Sequence, residues 1–175
     1  RDLSETNLGP NRTLYYTQNP LNDIFTLSLR FGLGSTKNPA LPLTADYLNN
    51  IGCGGRDVKA FKQAVYNLGC SYSTDVDGDY FTLSLEGLEE NLPAALVLLN
   101  DLMQTPETSA KARQVALEEL KSARKVEKGE PATMGRILRE YLAYGAAASY
   151  KTRYSYKQSA ALTPARLIEE WRKVQ

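Results

Sequence analysis

The sequence contains no histidine, the residue that most often serves as general base or metal ligand near neutral pH. This absence excludes catalytic triads and dyads that depend on histidine, and the common histidine-ligated zinc sites. Only two cysteines, Cys53 and Cys70, are present, too few for a disulfide framework or a four-cysteine zinc site. The sequence favours two free, partly buried thiols, and a single disulfide stays open as the alternative.

Long apolar runs and an excess of one charge are absent as well. No stretch approaches the roughly 20 apolar residues that a membrane-spanning helix needs, so no membrane span is predicted. The formal net charge is +1, which provides no overall field for nucleic acid or an anionic membrane. With 175 residues, the chain is long enough for a domain with a buried core. It starts at Arg1 without a leader-like segment, and we interpret it as part of a longer protein.

Alternating strand patterns and amphipathic helices predict an α+β fold. The predicted order of elements is β-β-α-α-β-β-α-α-α-α, in which pairs of strands are separated by helices. This order favours a two-layer sandwich with a mostly antiparallel sheet covered by helices on one face. We divide the chain into an irregular lead-in (1–11), a single domain (12–162), and a helix leading toward a following domain (163–175).

The predicted strands fall into two pairs. A strand at 12–18 precedes the strongest one, 23–31, whose apolar and polar residues alternate so that one face would be buried. The second pair, 70–76 and 80–85, is joined through Asp77-Gly78, a type I′ hairpin signal. Three aspartates in this turn suggest calcium, but the other EF-hand positions are missing, so a solvated turn is favoured.

The helix that follows the first pair of strands is the central feature of the sequence. Its apolar stripe contains Leu43, Tyr47 and Ile51, and Gly52 is expected in the left-handed conformation beyond its end. Later, Asn91 is predicted to cap a deeply packed helix whose apolar row includes Leu96 and Leu99, and the longest helix is predicted at 109–128.

No motif in the residues alone identifies an active site. The glycine-rich stretch 52–56 lacks the lysine and hydroxyl residue of a phosphate-binding loop and is interpreted as a helix terminator. Glu118 and Glu119 are interpreted as part of a solvated helix face. The segment 150–157 interleaves tyrosines with basic residues, as a platform for single-stranded nucleic acid does. A surface or domain-contact loop is favoured there, and no nucleic-acid partner is predicted.

Several sequence segments, in their order and spacing, resemble a known family over almost all of residues 12–173. The segments are Asn19–Arg30, Phe61–Ser73, Leu83–Leu92, Leu98–Pro106 and Ala161–Leu167. Together they resemble the insulinase/pitrilysin-type zinc metallopeptidases, the inverzincins, and their mitochondrial processing peptidase relatives.

The resemblance implies where a zinc site would lie. Active members carry H-x-x-E-H on the helix after the second strand, with two zinc-binding histidines and a general-base glutamate. Aligned on the apolar stripe, those three positions hold Pro42, Ala45 and Asp46 in this chain. The third ligand, a glutamate of the long helix, falls near Glu118 or Glu119. We therefore predict no catalytic residue and no metal site here, and assign no substrate-binding residue.

The resemblance further implies a non-catalytic domain of a zinc metalloendopeptidase that helps to form the chamber around a peptide substrate. Zinc would belong to a homologous catalytic domain, on the same chain or on a partner subunit. A parent protein of the bacterial periplasm or cell envelope fits this expectation. The alternative is a structural scaffold subunit without a proteolytic role. An H-x-x-E-H motif elsewhere in the gene, or in a neighbouring gene, would favour the peptidase.

Overall fold

A computed structural model describes residues 3–175. The strands of this part of the chain are β1 (Ser4–Gly9), β2 (Arg12–Tyr16), β3 (Ile24–Phe31), β4 (Ser71–Val76) and β5 (Phe81–Leu88). Its α-helices are α1 (Leu41–Leu48), α2 (Val58–Asn67), α3 (Leu92–Gln104), α4 (Ala110–Gly129), α5 (Pro131–Tyr144), α6 (Ser149–Thr152), α7 (Tyr156–Ala161) and α8 (Pro164–Val174).

The main sheet is antiparallel, with strand order β3-β5-β4. Phe81, Leu83 and Leu85 of β5 lie on one face of the sheet and are buried, whereas Glu86 on the opposite face is exposed. Helices α1 and α2 contact β4, and α3 contacts β5, which covers this apolar face. The predicted α+β class, with helices on one face of an antiparallel sheet, is confirmed.

The turn between β4 and β5 is not the predicted type I′ turn. That turn needs a positive φ at both central residues, and none of residues 77–80 has one. Instead, the carboxylate of Asp77 accepts hydrogen bonds from the backbone N–H of Asp79 (2.8 Å) and of Tyr80 (2.7 Å). These bonds lower the pKa of Asp77. Because the side chain satisfies the turn's donors, the backbone needs no left-handed residue.

Gly52 was predicted in the left-handed conformation, and this prediction is wrong. Helix α1 already ends at Leu48, and positive φ values occur later, at Gly54 and Gly55. The need for glycine at position 52 is steric, because a Cβ there would lie 2.0 Å from the carbonyl oxygen of Arg56. The loop therefore folds back closely on itself after the helix has ended.

The start of α3 also differs from its prediction. Asn91 does not cap the helix, because it lies in a 3-10 turn and its side chain donates to the carbonyl of Leu68 (3.1 Å). The bond ties α3 to the end of α2. Leu96, expected in the buried row, is 41% exposed. The buried residues of this helix are Ala95, Leu98, Leu99 and Leu102.

The lead-in 1–11 was predicted to be irregular, whereas Ser4–Gly9 forms a strand paired antiparallel with β2. Residues 1 and 2 lie outside the described residues. The turn contains Asn11, which has a φ of 58°, and almost every side chain of the hairpin is exposed. Backbone pairing without a buried face produces no apolar alternation, so the sequence pattern gave no signal.

Helix α8 is packed into the core of this domain. Trp171 is fully buried, with its ring centroid 5.7 Å from that of Phe31 and 5.1 Å from that of Phe81. That the helix at 163–175 leads toward a following domain stays a prediction. Among residues 3–175, no helix combines the length and apolarity needed to cross a membrane.

Candidate functional site

The three motif positions of α1 have different surroundings. Pro42 and Asp46 are one turn apart, so they share a face of the helix, and both are half-buried. Ala45 is buried, and its carbonyl accepts a hydrogen bond from the hydroxyl of Thr74 on β4 (2.7 Å). Two of the positions therefore lie where a ligand could be reached, and the third packs against the sheet.

Polar side chains fix the start of α1 on the rest of the domain. The Asn38 side chain accepts from the N–H of Ala40 (3.1 Å) and donates to the carboxylate of Glu170 on α8 (2.7 Å). Thr44, fully buried, donates its hydroxyl proton to the carbonyl of Ala40 (3.1 Å). Because these groups are satisfied locally, the helix is held in one position.

Tyr47 joins α1 to the beginning of α4. Its hydroxyl accepts a hydrogen bond from the N–H of Ser109 (2.9 Å) and lies 3.4 Å from the carbonyl oxygen of Glu107. Ser109 in turn caps α4, since its side chain accepts from the N–H of Ala112 (3.0 Å). This connection sets which residues of α4 lie beside α1.

The carboxyl of Asp46 is the most perturbed acid near this contact. Burial, together with the nearby charges of Glu119 on α4 and Asp75 on β4, raises the pKa of Asp46 to about 6. No lysine or arginine among residues 3–175 forms an ion pair with it. Acids on two other elements, α4 and β4, therefore act on Asp46 through their charge.

The sequence left open whether Glu118 or Glu119 lies at the position of the third zinc ligand, and the structure distinguishes the two. Glu118 accepts a hydrogen bond from the side chain of Gln114 (3.0 Å), along the surface of its own helix. Glu119 is the one whose charge raises the pKa of Asp46. In the part of the chain that the structure describes, no three acidic or cysteine side chains are grouped as a metal site requires. That the chain binds no metal stays a prediction.

The two cysteines lie apart from this site as free, buried thiols. Burial raises the pKa of the Cys53 thiol to about 12, and the nearby charge of Asp101 adds to the effect. Burial also raises the pKa of Cys70. Since the thiolate is the nucleophile, neither residue is suited to covalent catalysis.

The raised pKa of Asp46 makes the stability of the fold depend on pH. The pKa is about 6 in the folded chain, against an ordinary value of 3.8. The ionised carboxylate therefore lowers stability above about pH 6, and this loss fades as the pH falls toward 3.8. We expect Asp46→Asn to raise the free energy of unfolding by about 1–3 kcal/mol near pH 7.5, and to change it little near pH 4.

Urea unfolding of the chain and the variant at several pH values measures this difference. Glu119→Gln is expected to give a smaller change in the same direction, because burial is the larger cause of the shift. Glu118→Gln is the matched control on the neighbouring position and should not alter the pH dependence. A pH-independent difference between the chain and Asp46→Asn would contradict the assignment.

Of the comparisons with known proteins, only the one with solved structures finds a similarity, and this similarity is one of fold. No family model matches the chain, and no curated protein sequence matches it. A peptidase M16 inactive domain from Pseudomonas fluorescens is 21% identical, with a TM-score of 0.81 over 97% of this chain. The chain has the fold of an M16 peptidase domain. The periplasmic protease PqqL from Escherichia coli is 16% identical, with a TM-score of 0.73 over 98% of this chain.

A protease from Helicobacter pylori is 12% identical, with a TM-score of 0.74 over 98% of this chain. The chain spans 42%, 20% and 43%, respectively, of the lengths of these three structures. At these identities the likeness concerns the fold. It agrees with the resemblance to insulinase/pitrilysin-type peptidases that the sequence segments indicate.

Proposed function

We propose that this chain is a non-catalytic domain of a zinc metalloendopeptidase and helps to form the chamber that encloses the peptide substrate. The single observation that carries the proposal is an M16-type fold whose α1 has Pro42, Ala45 and Asp46 at the three motif positions. Zinc and the hydrolytic step would belong to a homologous catalytic domain, in the same protein or in a partner.

The chemistry of α1 supports this division of roles. Proline and alanine offer no side-chain donor to a metal, so Asp46 and Glu119 are the two oxygen ligands left at this contact. Catalytic zinc sites use three protein ligands and an activated water. The alanine also replaces the carboxylate that would take a proton from that water. What α1 retains is the apolar face that packs on the sheet and on α8.

The purified chain tests the proposal directly. We expect no stoichiometric zinc after equilibrium dialysis and metal analysis, and no cleavage of a quenched fluorogenic peptide. Stoichiometric zinc, or hydrolysis that a chelator abolishes, would contradict a non-catalytic role.

The second part of the test uses the catalytic partner. A domain with H-x-x-E-H, encoded in the same gene or a neighbouring one, is assayed with and without this chain. We expect the chain to increase peptide cleavage by the partner when the two are combined. An unchanged cleavage rate despite complex formation would instead favour a scaffold role.

A further inference from the structure

A groove of about 630 Å³ lies between the C-terminal half of α4 and the segment 150–158, which forms α6 and the start of α7. This volume is in the range of ordinary ligand sites. Six cationic side chains line the groove: Lys121, Arg124, Lys125, Lys128, Lys151 and Arg153. Among residues 3–175, no acidic side chain lines it. The chain as a whole has a net charge of +1, so the positive charge is concentrated here.

Few of these cations are neutralised by neighbouring acids. Arg153 forms an ion pair with Glu127 on α4, with both carboxylate oxygens within 3.0 Å. No ion pair within the described residues involves any of the four lysines. Of the other acids on the neighbouring helices, Glu130 binds Thr133 and Glu140 binds Ser149. An anionic ligand would therefore meet four lysines that form no ion pair with any of residues 3–175.

Two arginines, Arg124 on α4 and Arg153 on the opposite wall, hold the segment 150–158 against α4. Arg124 donates to the carbonyl of Tyr154, and its buried Nε has no acceptor among residues 3–175. The guanidinium of Arg153 lies 4.2 Å from the centre of the Tyr150 ring. A capping box at Ser155 begins α7 directly beside the groove. These contacts give the segment a defined shape, whereas the three groove lysines of α4 form no ion pair among residues 3–175.

The spacing of the α4 lysines matches an extended peptide. Lys121, Lys125 and Lys128 follow one another at intervals of four and three residues, so they lie along one face of the helix. The Cβ atoms of neighbours in this row are about 5–6 Å apart. Alternate side chains of an extended strand point to the same side and are about 6.6 Å apart. A row of alternate carboxylates could therefore meet the row of lysines.

We propose that this groove binds an extended acidic peptide segment with carboxylates at alternate positions. The Arg153 guanidinium lies over the Tyr150 ring and so occupies one aromatic face on which a nucleobase would stack. The inference goes beyond the proposed function, since it assigns a ligand class to this chain by itself.

Fluorescence anisotropy with the 175-residue chain tests the proposal. The probe is a labelled peptide of alternating aspartate and serine, compared with a peptide of alternating lysine and serine. We expect binding of the acidic peptide only, weakened by added salt because the contacts are exposed. Lys121→Gln/Lys125→Gln/Lys128→Gln should weaken it by about tenfold, since three exposed ion pairs of ordinary strength are lost.

A second triple variant separates the groove from the effect of net charge. Lys37→Gln/Lys59→Gln/Lys62→Gln removes the same charge from exposed positions outside the groove, and it should bind the acidic peptide as the unchanged chain does. Equal weakening by both variants overturns the proposal, as does no binding by the unchanged chain. Tighter binding of a single-stranded oligothymidylate of equal charge also overturns it. The zinc and cleavage tests of the proposed function use no acidic probe, so each idea can fail separately.

Discussion

Replacing Trp171 with alanine is expected to destabilise the domain by about 3–5 kcal/mol, the usual loss when a buried tryptophan is truncated. The indole is fully buried and contacts both Phe31 of β3 and Phe81 of β5, so it joins α8 to two strands of the sheet. Domains of this size have only about 5–15 kcal/mol of net stability. Urea unfolding followed by far-UV circular dichroism measures the loss.

Two controls separate lost volume from other effects of the change. Trp171→Phe keeps an aromatic ring and leaves a smaller empty volume, so it should cost clearly less than the alanine change. The indole N–H it removes has no acceptor among residues 3–175, so no hydrogen bond within that part is lost. Leu138→Ala, at a position 58% exposed on α5, should change stability by less than about 0.5 kcal/mol. Equal effects of the alanine and phenylalanine variants would show that α8 is not held by this ring.

The elements that the sequence predicted correctly are those in which one face is clearly more buried than the other. Strand β3 alternates in burial along its length, and Leu43, Tyr47 and Ile51 of the predicted α1 stripe are all buried. Asp57, a residue type typical of N-caps, caps α2 by accepting from the N–H of Ala60 (2.7 Å). In each case the signal is local, because periodicity and capping depend on residues within one or two turns.

The elements that were missed depend on contacts without a local pattern. Strand β1 is recognisable only through its pairing with β2, since its side chains are mostly exposed. Asn91 was a plausible cap, but a competing hydrogen bond to Leu68 at the end of α2 determines its position. Similarly, Gly52 is explained by its close approach to Arg56 and not by a helix ending.

At the candidate site, too, a local pattern predicts some features and only the packing of the helices determines the others. The positions Pro42, Ala45 and Asp46 could be named from the alignment of an apolar stripe. The choice between Glu118 and Glu119 could not, because it depends on how α4 is rotated against α1. The groove was missed for the same reason: the segment 150–157 was noticed, but the lysines that complete the groove are about 30 positions earlier in the chain. Packing, rather than sequence distance, brings them together.

A zinc site should appear when histidines are placed at the two half-buried motif positions. In Pro42→His/Asp46→His the two imidazoles are four residues apart on one face of α1, a spacing that suits one zinc ion. With Glu119 as the third ligand, the set matches that of known catalytic zinc sites. We expect about one zinc per chain with a Kd on the order of 1 μM or tighter, equivalent to about 8 kcal/mol.

Zinc at about one hundred times that Kd should raise the free energy of unfolding of this double variant by about 2.7 kcal/mol, and should leave the unchanged chain unaffected. Adding Glu119→Gln to the double variant should weaken zinc binding, because a ligand is lost. Adding Glu118→Gln should leave binding intact, because that side chain is directed along α4 toward Gln114. Loss of binding with the position 118 change instead would mean that α4 presents the other glutamate. A folded double variant without zinc affinity would mean that α1 does not correspond to the metal-binding helix, and the proposed function would lose its main support.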